Sequence, residues 1–253
     1  MRELKELKMK IIHKETGKIL WEGNSLQGGR FIEVDLSGAD LSGDDLRWTD
    51  FSWANLQKAN ISEADLRGIK AVRADLRGAN FDDADISGAN FQEANFSGIT
   101  LFRGDFFRAD LRRANFQKVD FQYTDISEAD LRGADFSGAY LRAVDFIRAG
   151  LQEVNFTGAR FQRVNFRRAD LWGATFKNAR LWTNLQKANF IEANLTGVNF
   201  TGADLRWADF SEAKLKGADF SGADLRRANF SEADLEGVNF SGADLGGAKG
   251  IEK

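Results

Sequence analysis

The sequence contains no proline, no cysteine, two methionines and a single histidine, His13. Missing cysteine excludes a disulfide framework, thiolate metal sites and a cysteine nucleophile. One histidine excludes multi-histidine metal centres and any catalysis that needs two imidazoles. No span approaches the length of a membrane helix, and Met1 to Met9 alternate Lys, Arg and Glu with Leu where an export signal would carry an apolar stretch. The expectation is a cytoplasmic protein with no membrane association. A dominant charge is lacking too: 35 basic residues face 38 acidic ones, a net charge of -3, which implies neither generic nucleic-acid binding nor an acidic disordered tail.

What is present is periodic. The chain has 22 phenylalanines, and all except Phe102 and Phe107 fall on one series of positions. Every fifth residue from Leu26 to Leu181, then again from Leu185 to Leu245, is Leu, Phe or Ile, with Ala71 the one exception. Two positions before each large residue stands a small one, usually Ala, and between them stands Asp or Asn in most units. This marks a repeat protein.

A period of five fits neither a helix at 3.6 nor a strand at 2, so the chain must turn once in every pentad. Small and large residues two apart share one side of a short extended segment, and the Asp or Asn between them points away. The remaining two positions make the corner, where frequent Gly (Gly38, Gly43, Gly68) suits a positive φ. Corners such as Gln57-Lys58 and Glu153 are expected to use another turn type. Four corners close a square coil of twenty residues, and coils stacked about 4.8 Å apart form a solenoid about 50 to 55 Å long. Proline inside such a ladder would delete a donor needed by the next coil.

The unit seen as Ala39-Asp40-Leu41-Ser42-Gly43, Ala79-Asn80-Phe81-Asp82-Asp83 and Ala223-Asp224-Leu225-Arg226-Arg227 resembles the pentapeptide-repeat family over about nine tenths of the chain. The resemblance implies an all-β fold, a right-handed quadrilateral β-helix of about eleven coils. It also implies kinship with quinolone-resistance proteins that imitate duplex DNA and act on DNA gyrase.

The expected organisation is an N-terminal segment with a capping β-hairpin over residues 1–23, the β-helix over 24–248, and a tail over 249–253. Ile11 to His13 and Lys18 to Trp21 flank a turn at Lys14 to Gly17, and Trp21 is placed to lie over the first coil. Met1 to Met9 add a helical turn or stay loose. The C-terminal end offers no comparable cover, so an exposed or self-associating end is expected there, with a homodimer as one outcome. Three irregularities stand out. Asp44 occupies an interior position one coil from Asn24, read as a polar pocket or, more simply, as an Asn24–Asp44 hydrogen-bonded pair. Ala71, beside Ile69 and Val72, leaves a gap that a neighbour fills. The stretch Leu181 to Leu185 reads as the loss of one residue.

With that loss allowed for, four surface sides can be written down, starting at Leu26, Phe31, Leu36 and Leu41. The first carries Arg47, Arg67, Arg108, Arg148 and Arg206 beside a column of Asp, a striped and nearly neutral surface. The second carries six bases against eleven acids, among them Glu153, Glu192, Glu212 and Glu232, and is the candidate face for a charged partner. Outward Phe102 and Phe107, at successive corners of one coil, form a candidate partner-binding patch. Trp207 is expected between Lys187 and Arg227, while Trp172 and Trp182 have no cation in view.

No metal, cofactor or catalytic residue is expected, because regular carboxylates at successive coils read as solvated repeat positions and the interior is filled by its own side chains. The leading reading is a noncatalytic scaffold for a protein partner. Partial DNA mimicry directed at DNA gyrase is the alternative. Duplex DNA spanning 50 Å carries about thirty charges, far from the net charge of this chain. Direct nucleic-acid binding is disfavoured because Asp is interleaved with the arginines.

Overall fold

The computed structural model describes residues 9–176, 179–181 and 188–251. Each pentad forms one straight edge of a square coil, and the edges stack in parallel register at intervals of twenty residues: Asp35 pairs with Asn55, Asn55 with Asp75 and Asp75 with Asn95. The unit Ala54-Asn55-Leu56-Gln57-Lys58 shows where every backbone N–H goes. Ala54 donates to Phe51 across the corner at 3.0 Å, Asn55 to Val34 of the coil before at 3.0 Å, and Leu56 and Lys58 to Asp75 and Arg77 of the coil after at 2.8 and 3.0 Å. The fifth, on Gln57, is taken by the side-chain oxygen of Asn55 at 3.2 Å. With all five donors engaged, proline has no free position, and Asp or Asn before the large residue is needed as a side-chain acceptor.

The second corner residue has positive φ whether or not it is glycine. Lys58 (58°) and Glu153 (59°) share the conformation of Gly38 (65°), so the expectation of a different turn type at non-glycine corners is corrected. Each non-glycine residue held there costs about 1–2 kcal/mol, which the ladders on both sides offset.

Inside, Phe96, Phe116, Phe136, Phe156, Phe176, Phe200, Phe220 and Phe240 stack along the third side with centroids 4.6–5.5 Å apart. Phe146, Phe166, Phe190, Phe210 and Phe230 stack along the first at 4.8–5.1 Å. The two ladders meet edge to face across the coil, as Phe166 meets Phe176 at 5.8 Å and 86°. Each such pair contributes about 0.5–1.5 kcal/mol beyond burial. Ala71 is fully buried, and Ile69, at 2% exposure, supplies bulk beside it.

The N-terminal cover is a hairpin of β1 (Met9–His13) and β2 (Ile19–Gly23), with β1 also paired antiparallel to β3 (Ala39–Asp40) in the first coil. Ile11 is buried in the core, and the Trp21 ring meets Phe31 at 5.3 Å and 73°. His13 Nδ1 accepts the Glu15 N–H at 3.2 Å, and its ring lies where a Cβ on Gly38 would have to go. Asp44 is half-buried in the first coil. Burial, with Asp40 nearby, pushes the Asp44 carboxyl up from its ordinary value. In the last described coil Leu235, Phe240 and Leu245 are only partly buried.

Among the described coils, strands of three residues occur in one place. On the fourth side, β4 (Thr100–Phe102), β5 (Asp120–Gln122), β6 (Tyr140–Arg142), β7 (Arg160–Gln162) and β8 (Arg180–Leu181) form a five-stranded parallel sheet in register. Here the corner is open: no hydrogen bond runs from Gly104, Thr124, Val144 or Val164 back to Leu101, Phe121, Leu141 or Phe161. Four of the five positions that elsewhere hold Asp or Asn are Thr100, Tyr140, Arg160 and Arg180, so the side-chain acceptor that holds the corner closed is missing. Isolated exceptions between Asp or Asn neighbours, such as Lys70 and Gly150, keep the closed corner, with Ala74 donating to Ala71 and Val154 to Leu151. On the fourth side the corners after Thr100 and Asp120 are open along with those after Tyr140 and Arg160, so neighbouring coils share one corner type, as nearest-neighbour coupling between repeats requires.

Candidate interaction faces

Beyond Thr175 the register changes. Asn165 pairs with Asn189, Asp170 with Asn194 and Thr175 with Asn199, an interval of 24 residues, and the interval returns to twenty from Asn189 to Asp209. The break is therefore four residues gained and not one lost; Leu181 to Leu185 itself lies largely outside the described residues, as do Trp182 and Lys187. The correction moves surface residues to new sides. Glu153 lies on the second side in line with Gly173, whereas Glu192, Glu212 and Glu232 lie on the first, in line with Arg148 and Arg168. The four glutamates do not form one face. Counting outward described residues, the first side has seven bases against eleven acids and the second eight against nine, so the first is the more acidic of the two.

Glu192 is paired with Arg168 at 2.8 Å and approached by Arg167 at 3.6 Å, which holds its carboxyl below the usual range. Glu212 and Glu232 have no ion pair among the described residues. Glu153 borders a shallow groove of about 390 Å³ with Glu93, Arg112, Arg113 and Arg132, opened by Gly133. Phe102 and Phe107 point outward as expected, on either side of a corner, but each ring carries the next arginine on its face, Arg103 at 4.9 Å and Arg108 at 4.8 Å. Both rings are half-buried. Arg227 rests on Trp207 at 4.4 Å.

The Asp or Asn that caps the corner also sets the charge of the surface. Where Arg follows two residues later, the carboxylate binds it through two nitrogens: Arg47 Nε and Nη2 donate to Asp45 at 2.8 and 2.7 Å, and Arg67 repeats the pattern on Asp65. The same guanidinium leans on the next coil, as Arg47 approaches Asp65 at 3.4 Å. The hydrogen bonds from Arg47 pull Asp45 down to about 2. Further along this column Asp105, Asp125 and Asp145 have no ion pair among the described residues. Burial, together with neighbouring carboxylates, pushes Asp105 and Asp145 up. No group of three or more His, Asp or Glu among the described residues could hold a metal ion.

The sheet on the fourth side holds what the sequence reading missed. Arg103, Arg142, Arg160 and Arg163 have no ion pair among the described residues. Arg142 sits over Tyr123 at 5.5 Å, Tyr123 meets Phe102 edge to face at 5.6 Å, and the Tyr140 hydroxyl donates to Gln162 at 2.8 Å. The available signal was the column Thr100, Tyr140 and Arg160, in which Asp120 alone keeps the usual residue before the large one.

A family model described as a pentapeptide repeat region matches residues 109–183 and 159–240, and a second, of eight pentapeptide copies, matches 25–57 and 59–98. No curated protein sequence matches the chain. Similar solved structures include HetL, a pentapeptide repeat protein involved in heterocyst differentiation regulation from the cyanobacterium Nostoc sp. strain PCC 7120. It is 26% identical over 88% of this chain and 90% of that one, with a TM-score of 0.41. A trypsin-treated form of QnrB1, a plasmid-mediated fluoroquinolone resistance protein, is 20% identical over 87% and 89%, with a TM-score of 0.49. A pentapeptide repeat protein of the Arabidopsis thaliana thylakoid lumen is 33% identical over 39% of this chain and 63% of that one, with a TM-score of 0.30.

Proposed function

The chain belongs to the pentapeptide-repeat family of right-handed quadrilateral β-helices, and we propose that it is a noncatalytic scaffold presenting flat, rigid sides to a protein partner. The observation that carries this reading is the interior. Rings stacked along the first and third sides fill the coil from wall to wall, and the grooves among the described residues are shallow and lie on the surface. What varies between coils is the outward residue, held in a fixed column by the backbone ladder. Such a surface recognises by position and charge and has no enclosed volume in which to exclude water from a reaction. Association between two copies would act through the last coil, where Leu235, Phe240 and Leu245 are only partly buried.

A second reading, partial mimicry of duplex DNA acting on DNA gyrase, has one observation behind it: Asp105, Asp125 and Asp145 stack on the first side without a cation. Asp45, Asp65, Asp110, Asp130, Asp204 and Asp224 are each bound by an arginine, and a net charge of -3 stays far below one charge per about 1.7 Å. Capture from host extract on the immobilised full-length chain, repeated with charge-reversed variants of each side, tests the scaffold. Retention of a protein that is lost on reversing one side and kept on reversing the others is expected. No retained protein, or retention indifferent to every side, would contradict it. Stoichiometric protein is expected to leave gyrase supercoiling unchanged, with or without a quinolone, and inhibition or protection would favour mimicry.

A further inference from the structure

We propose that the middle of the fourth side, between Thr100 and Arg163, is a docking surface for an acidic segment of a protein partner. The assignment rests on the scaffold reading and adds which side is used and what chemistry it recognises. It begins with a substitution that has two consequences. At a closed corner the Asp before the large residue also binds an arginine that follows it, as Asp130 binds Arg132 at 2.6 Å. At Tyr140 that Asp is absent, so the corner stays open and Arg142 has no carboxylate of its own. At Arg160 the acidic position is itself a base. The change therefore accompanies longer strands, leaves Arg142 without a carboxylate and adds Arg160, beside Arg103 and Arg163 at the corner.

The backbone sets these residues on three-residue strands in parallel register. Phe102, Gln122, Arg142 and Gln162 are consecutive rungs of a parallel ladder, with Arg103, Tyr123, Ala143 and Arg163 beside them. Arg142 is steadied on Tyr123 and Arg103 on Phe102, contacts that orient a guanidinium while leaving its N–H edge free to bind a carboxylate through two hydrogen bonds. The acids facing the patch are few. Asp120 accepts from Gln122 Nε2 at 3.2 Å, and Asp82, at the N-terminal edge, accepts the Phe102 N–H at 2.7 Å.

The limits of the patch choose the occupant. Towards the N-terminus it ends at Asp82 and Asp83, with Glu63 in the coil before. Towards the C-terminus Arg206 and Arg226 are held by Asp204 and Asp224 at 2.7 and 2.6 Å. A polyanion continuing along the rod would run onto carboxylates, whereas a short run of Glu or Asp matches the four described arginines. Aromatic rings whose faces already carry arginine also offer little to an unstacked base.

The test is fluorescence anisotropy with two labelled probes at low ionic strength, a ten-residue oligoglutamate peptide and a ten-nucleotide oligothymidylate, titrated with the full-length protein. The peptide is expected to bind, with affinity falling as salt is added. Combined Arg142→Gln, Arg160→Gln and Arg163→Gln should weaken it about tenfold or more, while Arg47→Gln with Arg67→Gln should change it less than about twofold. These residues are exposed or half-buried, so an unchanged melting curve should accompany both variants. Failure of the peptide to bind, or equal weakening by the two variants, would overturn the surface. Tighter binding of the oligonucleotide, lost with the same three substitutions, would overturn the choice of occupant. Either failure leaves the scaffold reading intact so long as the unsubstituted chain still captures a partner from extract.

Discussion

The middle of the fourth side and the other three sides are built from the same five-residue unit and differ chiefly in one of its positions. On three sides Asp or Asn before the large residue accepts a backbone N–H and closes the corner, and Asp also binds an arginine two residues on, as Asp110 binds Arg112. From Thr100 to Arg160 on the fourth side that residue is mostly something else, and the corner opens, the strand lengthens and positive charge is left over. A repeat position that looks ornamental thus sets both the backbone conformation and the electrostatics. It acts cooperatively, since lone exceptions such as Lys70 keep the closed corner of their neighbours, while Asp120, next to Tyr140 in the stack, shares its open one.

The sharpest way to break the comparison is proline. Gln122 lies within the ladder, paired with Phe102 and Arg142, so Gln122→Pro should cost about 3 kcal/mol or more. Ser52 stands at the same place of a closed corner, where its N–H donates only to Asp50 Oδ1 at 3.0 Å. Ser52→Pro should cost about 1 kcal/mol. Urea unfolding of the two variants checks the difference, and equal losses would mean the corners are not distinct.

The placing of charges beyond residue 188 depends on the long coil. Deleting Trp182 to Leu185 should restore a twenty-residue coil and leave the melting temperature within a few degrees, because shortening a loop changes closure entropy by only about 1 kcal/mol or less. Under a one-residue-loss register the same deletion would remove most of an edge and unfold the C-terminal coils.

The smallest expected effect contrasts adjoining sides. The first side has uncompensated acids where the fourth has uncompensated bases, and Asp105→Asn should raise stability at neutral pH by about 0.5 kcal/mol, since the amide keeps the acceptor used by the Phe107 N–H and loses the charge. Because burial raises the folded-state pKa of Asp105, its charged form penalises the folded state above that pKa. The penalty is relieved as pH falls through it towards the ordinary value. The gain in urea midpoint should therefore shrink in acid.

Much of this architecture is legible in the sequence. Period five demands a corner per unit, the Leu and Phe series names the core, and Trp21 falls where a lid is needed. The register after Leu181 was not legible from spacing, because a coil of nineteen residues and one of twenty-four leave the same remainder modulo five. The alternation of Phe with Leu from Phe166 to Phe240 carries the missing information, since only the longer coil keeps the Phe rings on the first and third sides. Uniform positive φ at residues as different as Lys58, Tyr123 and Glu153 also escapes propensity, which ranks residues singly and does not weigh ladders above and below. The split of Glu153 from Glu192, Glu212 and Glu232 follows from the register alone.

Site-specific photo-crosslinking in the host bears most directly on recognition by one side. A crosslinking residue placed in turn at Ser87, Gln92, Ser137 and Ala143 samples the first, second, third and fourth sides at neighbouring coils. A protein adduct from Ala143, absent or much weaker from Ser87, Gln92 and Ser137, is the expected result. Adducts of equal yield from all four sides, or from any side other than the fourth, would contradict it.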